Sequence, residues 1–172
     1  MEARKKILEK VEKDASFYEG HFHGCSQSAL LALIDALNLP RDSAFKAATA
    51  LAGGVGLLGY VCGAFTGGVM AISLKFGRDY DDFFAHDPEY KRRKAYELAR
   101  KFHDRFVKEF GSCICKDIQK RKYGRWFNLA DPKELEEFEK AGGHSPTGCP
   151  EVVGKAARIA AEIILEAEEN KD

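Results

Sequence analysis

The sequence predicts an all-α fold: a single-domain helical bundle around a buried, glycine-rich central helix. Three observations predict it. Apolar residues recur at three- and four-residue steps along most of the chain. Glycine and proline stand where such runs stop and start, as at Gly77, Gly111, Pro40 and Pro132. No series of segments alternates apolar and polar residues in the way a sheet requires.

The elements follow in order. Residues 2–18 carry Ile7, Leu8, Val11, Ala15 and Tyr18 on one helical face. A second helix runs over 25–38 and a third over 41–52. Residues 47–74 carry no charge and include seven glycines; the front half reads as a loop and the back, 62–76, as the central helix. Ala95, Leu98, Phe102, Phe106 and Phe110 define a long helix over 88–110. A short basic helix spans 113–121, and another runs from 132 to 141. After the break at 142–146, Val152, Ala156, Ile159, Ile163 and Ala167 place the last helix over 150–169.

The length of 172 residues fits one domain over 1–172, long enough to bury a sizeable core. The apolar share of 45% and the charged share of 31% are those of a globular protein in water. Lys plus Arg and Asp plus Glu number 27 each, so no basic field calls for nucleic acid or an anionic membrane. The first residues, Met1-Glu2-Ala3-Arg4-Lys5-Lys6, open an amphipathic helix rather than a signal peptide, so a cytoplasmic location is expected. The uncharged stretch is long enough to span a bilayer, and Gly59, Gly63 and Gly67 match the small-residue steps of packed membrane helices. Its neighbours are amphipathic, however, and need a central apolar element to cover them. A buried core helix is therefore expected and a membrane span is not.

Two patterns resemble ligand motifs. Gly54-Val55-Gly56-Leu57-Leu58-Gly59 matches G-x-G-x-x-G, but the dinucleotide fingerprint needs a βαβ unit that is not foreseen here. Close turning of the backbone is the expected reason for these glycines. His21, His23 and Cys25 alternate, so in an extended segment they would point the same way and could serve zinc or iron. Two surface histidines ahead of a helix are the commoner arrangement. His103 reads as a half-buried packing residue, and His144 as a loop neighbour of Cys149. Asp79, Asp81 and Asp82 lack calcium-loop spacing and suit the start of a short helix.

The cysteines carry the most information. Cys25, Cys62, Cys115 and Cys149 each stand where a helix is expected to begin, tens of residues apart in sequence. A helix N-terminus presents unpaired N–H groups and about half a positive charge, and both favour a thiolate. Four such placements suggest helix ends that meet in one site. No C-x-x-C is present, and five cysteines do not form a closed disulfide framework. Cys113 lies two residues from Cys115, and helical neighbours two apart face away from each other, so Cys113 is expected to stay outside the site. Cys149, directly before Pro150, is expected to be more acidic than a free cysteine, moderated by Glu151.

These pieces resemble a known family of redox-active proteins named for a C-GCAxxG-C-C cysteine pattern. The resemblance runs from about Tyr18 to Leu165. It rests on Cys25-Ser26-Gln27, the glycines at 53–56, Cys62-Gly63-Ala64-Phe65-Thr66-Gly67, Phe110-Gly111-Ser112 with Cys115, and Cys149. One departure is visible: the pattern writes Gly before Cys, whereas here Cys62 precedes Gly63. The resemblance implies a helical fold and a redox or metal role for the four cysteines, and it leaves Cys113 as the extra one. The expected function is a redox-active protein in which Cys25, Cys62, Cys115 and Cys149 form one metal-binding site. An iron–sulfur cluster is expected ahead of zinc, for electron transfer or redox sensing. The alternatives are a metal-free thiol–disulfide protein using the same four thiols and a helical binding or scaffold domain with packing cysteines. The expected partner is a redox protein of unstated identity, with homo-oligomerisation left open. The sequence does not decide whether the chain is an enzyme.

Overall fold

A computed structural model describes residues 2–169. Its helices are α1 (Glu2–Phe22), α2 (Cys25–Leu37), α3 (Asp42–Ala47), α4 (Gly63–Phe76), α5 (Tyr80–Phe84), α6 (Lys91–Phe110), α7 (Cys115–Tyr123), α8 (Pro132–Lys140) and α9 (Cys149–Glu169). A 3₁₀ turn, Thr49–Leu51, follows α3. Among the described residues the sole strand-like pairing is an isolated antiparallel bridge between Val61 and Ile114. The all-α expectation holds.

The bundle is built by α1, α2, α4, α6 and α9, with α4 in contact with α2, α6 and α9. The last helix is the spine. Its Ala156, Ala157, Ala160 and Ala161 are fully buried, and at Gly154 it lies close along α1, where an added Cβ would come 2.8 Å from the Glu12 carbonyl oxygen. Leu8, Val11 and Ala15 supply the facing stripe of α1. On the other side Phe102 and Phe106 of α6 meet Phe65 of α4, the Phe65 and Phe102 rings stacking at 5.0 Å. Burying each such aromatic or branched side chain contributes about 1.5–3 kcal/mol. Ion pairs such as Arg105–Glu166 and Arg158–Glu12 lace the rim of α9 to α6 and α1. In partly exposed positions they add roughly 0–1 kcal/mol each.

The central helix is as expected. Gly63 and Gly67, one turn apart on α4, face the start of α2: a Cβ on Gly67 would come 2.5 Å from the Ser26 carbonyl oxygen. The small-residue steps at Gly63 and Gly67 thus serve close helix packing. No described helix is long and apolar enough to cross a membrane.

Some boundaries differ from expectation. The first helix continues through Gly20 to Phe22. The 41–52 segment divides, because the chain must turn to bring Ala48 under Ser26, whose hydroxyl donates to the Ala48 carbonyl at 2.7 Å. The short α5 has no apolar stripe to announce it. It exists because Asp79 accepts from the Asp82 N–H while the Asp82 side chain accepts from the Asp79 N–H. The helix expected from 88 starts at Lys91, where buried Asp87 accepts the N–H groups of Lys91 and Arg92.

Candidate functional site

Four chain segments bring a cysteine to one cavity. His23 (φ 61°) and Gly24 (φ 90°) are both left-handed and reverse the chain from α1 into α2, whose first residue is Cys25. The stretch before α4 runs antiparallel to the stretch before α7. Cys62 N–H donates to the Cys113 carbonyl at 2.9 Å, and Cys115 N–H donates to that of Tyr60 at 2.6 Å. This ladder puts the starts of α4 and α7, and hence Cys62 and Cys115, side by side. Cys149 opens α9, and its N–H is held by the Gly143 carbonyl at 2.8 Å.

All four cysteines line one cavity of about 200 Å³ whose walls are mainly apolar, among them Leu57, Ile118, Phe138, Val152 and Val153. All four are free thiols. Cys113 does not line the cavity and packs instead against the hydrophobic core. Cys113 precedes α7, so helical side-chain directions do not govern its placement, and its carbonyl belongs to the ladder. Cys62 faces the cavity, and Gly63 is the residue that admits Cys25, since a Cβ on Gly63 would come 2.3 Å from the Cys25 sulfur.

The loop over the cavity explains the G-x-G-x-x-G run. Gly53, Gly54, Val55, Gly56, Leu57 and Gly59 all have positive φ. Hydrogen bonds such as Gly56 N–H to the Ala50 carbonyl (2.7 Å) and Tyr60 N–H to that of Gly54 (2.9 Å) hold this coil in place. No βαβ unit surrounds it, so the dinucleotide motif lacks its context. A backbone group of Gly53 hydrogen-bonds the Cys25 thiol, and successive N–H groups in left-handed turns form concavities suited to anions.

The electrostatics overturn the expected acidity of Cys149. Burial raises its thiol well above the ordinary value, and Cys25, Glu19 and Cys115 add repulsion that the Tyr123 hydroxyl only partly offsets. Burial likewise pushes Cys25 up to about 12, with Glu19 adding to it and the backbone of Gly53 and Ser26 opposing. Cys62 is held well above its ordinary value by burial and then by Cys25, Cys115 and Cys149. Cys115 is raised by burial, and the Gln119 amide, 3.6 Å from its sulfur, opposes. The helix ends do favour thiolates, but loss of water outweighs them. In a variant that keeps only Cys149, alkylation is accordingly expected to show a midpoint above the free-cysteine value of about 8.5. A midpoint below it would restore the helix-terminus effect as the larger one.

The structure also adds residues. Glu19 is 3% exposed and lines the cavity. Burial raises its carboxyl to about 7, the Ser28 hydroxyl donating to it at 3.2 Å opposes, and Glu139 adds repulsion. His144 lines the cavity as well, with its Nε2 3.7 Å from Glu19. Burial lowers its pKa, so it is neutral near pH 7. The extended His21-His23-Cys25 reading is corrected: His21 lies within α1, exposed, bonded through Nδ1 to the Phe17 carbonyl, while His23 and Cys25 reach the cavity. His103 is exposed rather than half-buried.

Fold and site together define a class: an all-α bundle in which four helix starts gather four cysteines around one mainly apolar cavity. Residues 23–163 match a family model described as "Putative redox-active protein (C_GCAxxG_C_C)", and the chain belongs to that family. No curated protein and no solved structure matches the chain.

Proposed function

We propose that this chain is a redox module whose Cys25, Cys62, Cys115 and Cys149 thiolates hold one metal centre, an iron–sulfur cluster ahead of zinc. The observation that carries the reading is the convergence of four thiols on one mainly apolar cavity where burial and mutual repulsion oppose their ionisation. A cationic centre offsets both effects at once, because metal ligation deprotonates thiols outright. Four thiolates are the usual ligand set of common iron–sulfur clusters and also suit structural zinc. Exchange with an external disulfide needs a thiolate, which the raised pKa values disfavour in the metal-free protein.

When bound, such a centre supplies one-electron chemistry. The chain's own groups set its conditions. The N-terminal ends of α2, α4, α7 and α9 direct positive partial charge at the sulfurs. The Gln119 amide donates to Cys115, and the backbone of Gly53 and Ser26 hydrogen-bonds Cys25. Hydrogen bonds to sulfur favour the reduced, more negative state and raise the potential. The walls around the sulfurs are mainly apolar. A partner protein would supply or accept the electron.

Single Cys→Ser substitutions test the assignment. Cys25→Ser, Cys62→Ser, Cys115→Ser and Cys149→Ser are each expected to remove most of the metal from protein purified without oxygen, and Cys113→Ser to leave it nearly intact. Equal metal content in all five variants would contradict the ligand set.

A further inference from the structure

We propose that His23, Glu139 and His144 form a second metal site at the mouth of the cavity, for a divalent first-row transition ion of the zinc type, with Glu19 standing behind His144 as its outer carboxylate. The site uses nitrogen and oxygen donors alone and does not depend on the thiolate reading.

The three residues come from three segments, and their donor atoms lie within 4.8 Å of one another. His23 sits in the left-handed turn between α1 and α2, its N–H bonded to the Glu19 carbonyl at 3.2 Å. Glu139 is in the last turn of α8. His144 belongs to the loop before α9, which is pinned by Gly143 N–H to the Phe138 carbonyl and Ser145 N–H to that of Gly142. The two imidazoles lie face to face, 3.8 Å between centroids and 6° between planes. His23 is exposed, so its ring can swing toward a bound ion.

Two independent features point to a cation here. First, His144 Nδ1 is hydrogen-bonded to a Glu139 carboxylate oxygen at 2.6 Å, while its Nε2 lies 3.7 Å from Glu19. An ion taking the place of the proton between His144 and Glu139 would leave Nε2 toward the Glu19 carboxylate, the outer position usual for a metal-ligating histidine. Second, Glu19 and Glu139 repel each other, and among the described residues neither pairs with a lysine or arginine. Lys122, which also lines the cavity, is 2.8 Å from Glu151. Two carboxyls and two imidazoles without a fixed cation suit a borderline divalent ion, for which histidine and carboxylate are common ligands. Three protein ligands leave one coordination position open, as in sites that exchange a small ligand rather than closed structural ones.

The test is equilibrium dialysis of the reduced, metal-free full chain against cobalt(II), with the sulfur-to-cobalt charge-transfer band recorded in parallel. His23→Ala and Glu139→Gln alter exposed side chains and leave the core untouched. Each is expected to weaken this site at least about tenfold, so that at the free cobalt concentration that half-fills it in wild type the variant holds little cobalt there. The charge-transfer band, which reports only the thiolates, should be unchanged. Unaltered cobalt binding in both variants, or a loss that tracks the charge-transfer band, would overturn the second site. Absence of that band in wild type would count against the thiolate reading and leave this one standing.

Discussion

Raising the pH of the reduced, metal-free protein from 9 to 10 is expected to lower its stability, by on the order of 1 kcal/mol through Cys25 alone and further in the same direction through Cys62, Cys115 and Cys149. The cause is the four cavity thiols. Burial holds Cys25 at about 12, well above a free thiol, and raises Cys62, Cys115 and Cys149 as well. Below the ordinary thiol value both folded and unfolded chains are protonated at these positions, and their contribution to stability is fully present. Above it the unfolded chain releases protons that the folded chain retains, so stability falls with pH until the folded value is reached. For Cys25 the loss is roughly 1 kcal/mol over that pH unit, and the other three thiols add to it with the same sign. Urea unfolding at pH 9 and pH 10, on wild type and on a variant with serine at all four positions, checks this. Parallel pH dependences would show that the thiols ionise freely in the fold.

Gly63→Ala is expected to lower stability by roughly 2–3 kcal/mol and to reduce metal content as well. The added Cβ would lie 2.3 Å from the Cys25 sulfur, 3.0 Å from the Ser26 nitrogen and 3.2 Å from the Leu51 oxygen. Two of these atoms are backbone and cannot rotate away, so α2 and α4 must separate where their cysteines meet. Gly20→Ala serves as the control. Gly20 is inside α1, and its Cβ would meet nothing nearer than Pro150 at 3.6 Å. That substitution is expected to stabilise by about 0.5–1 kcal/mol. Chemical denaturation of both variants decides, and a Gly63→Ala protein as stable and metal-rich as wild type would contradict the packing account.

The long helices were legible because each buries a stripe that the 3.6-residue period writes into the sequence. The short α5 and the divided 41–52 segment were not, because capping and a single tertiary hydrogen bond at Ser26 decide them. The cysteine placements were legible for a local reason, since each stands beside a helix start. Their acidity was not, because it depends on how much water the folded chain excludes. Glu19 left a readable sign: it continues the buried stripe of Leu8, Val11 and Ala15, so a carboxylate falls where α1 needs an apolar residue. The approach of Glu139 and His144 to His23 left none, because the loop after α8 creates it.

The most direct test of the central claim is iron, zinc and acid-labile sulfide analysis of the wild-type protein purified without oxygen. The account predicts bound iron with sulfide, lost together with any one of Cys25, Cys62, Cys115 or Cys149. A folded protein that carries no metal, with a thiol count that changes by two or four on reduction, would contradict it and establish a thiol–disulfide protein instead.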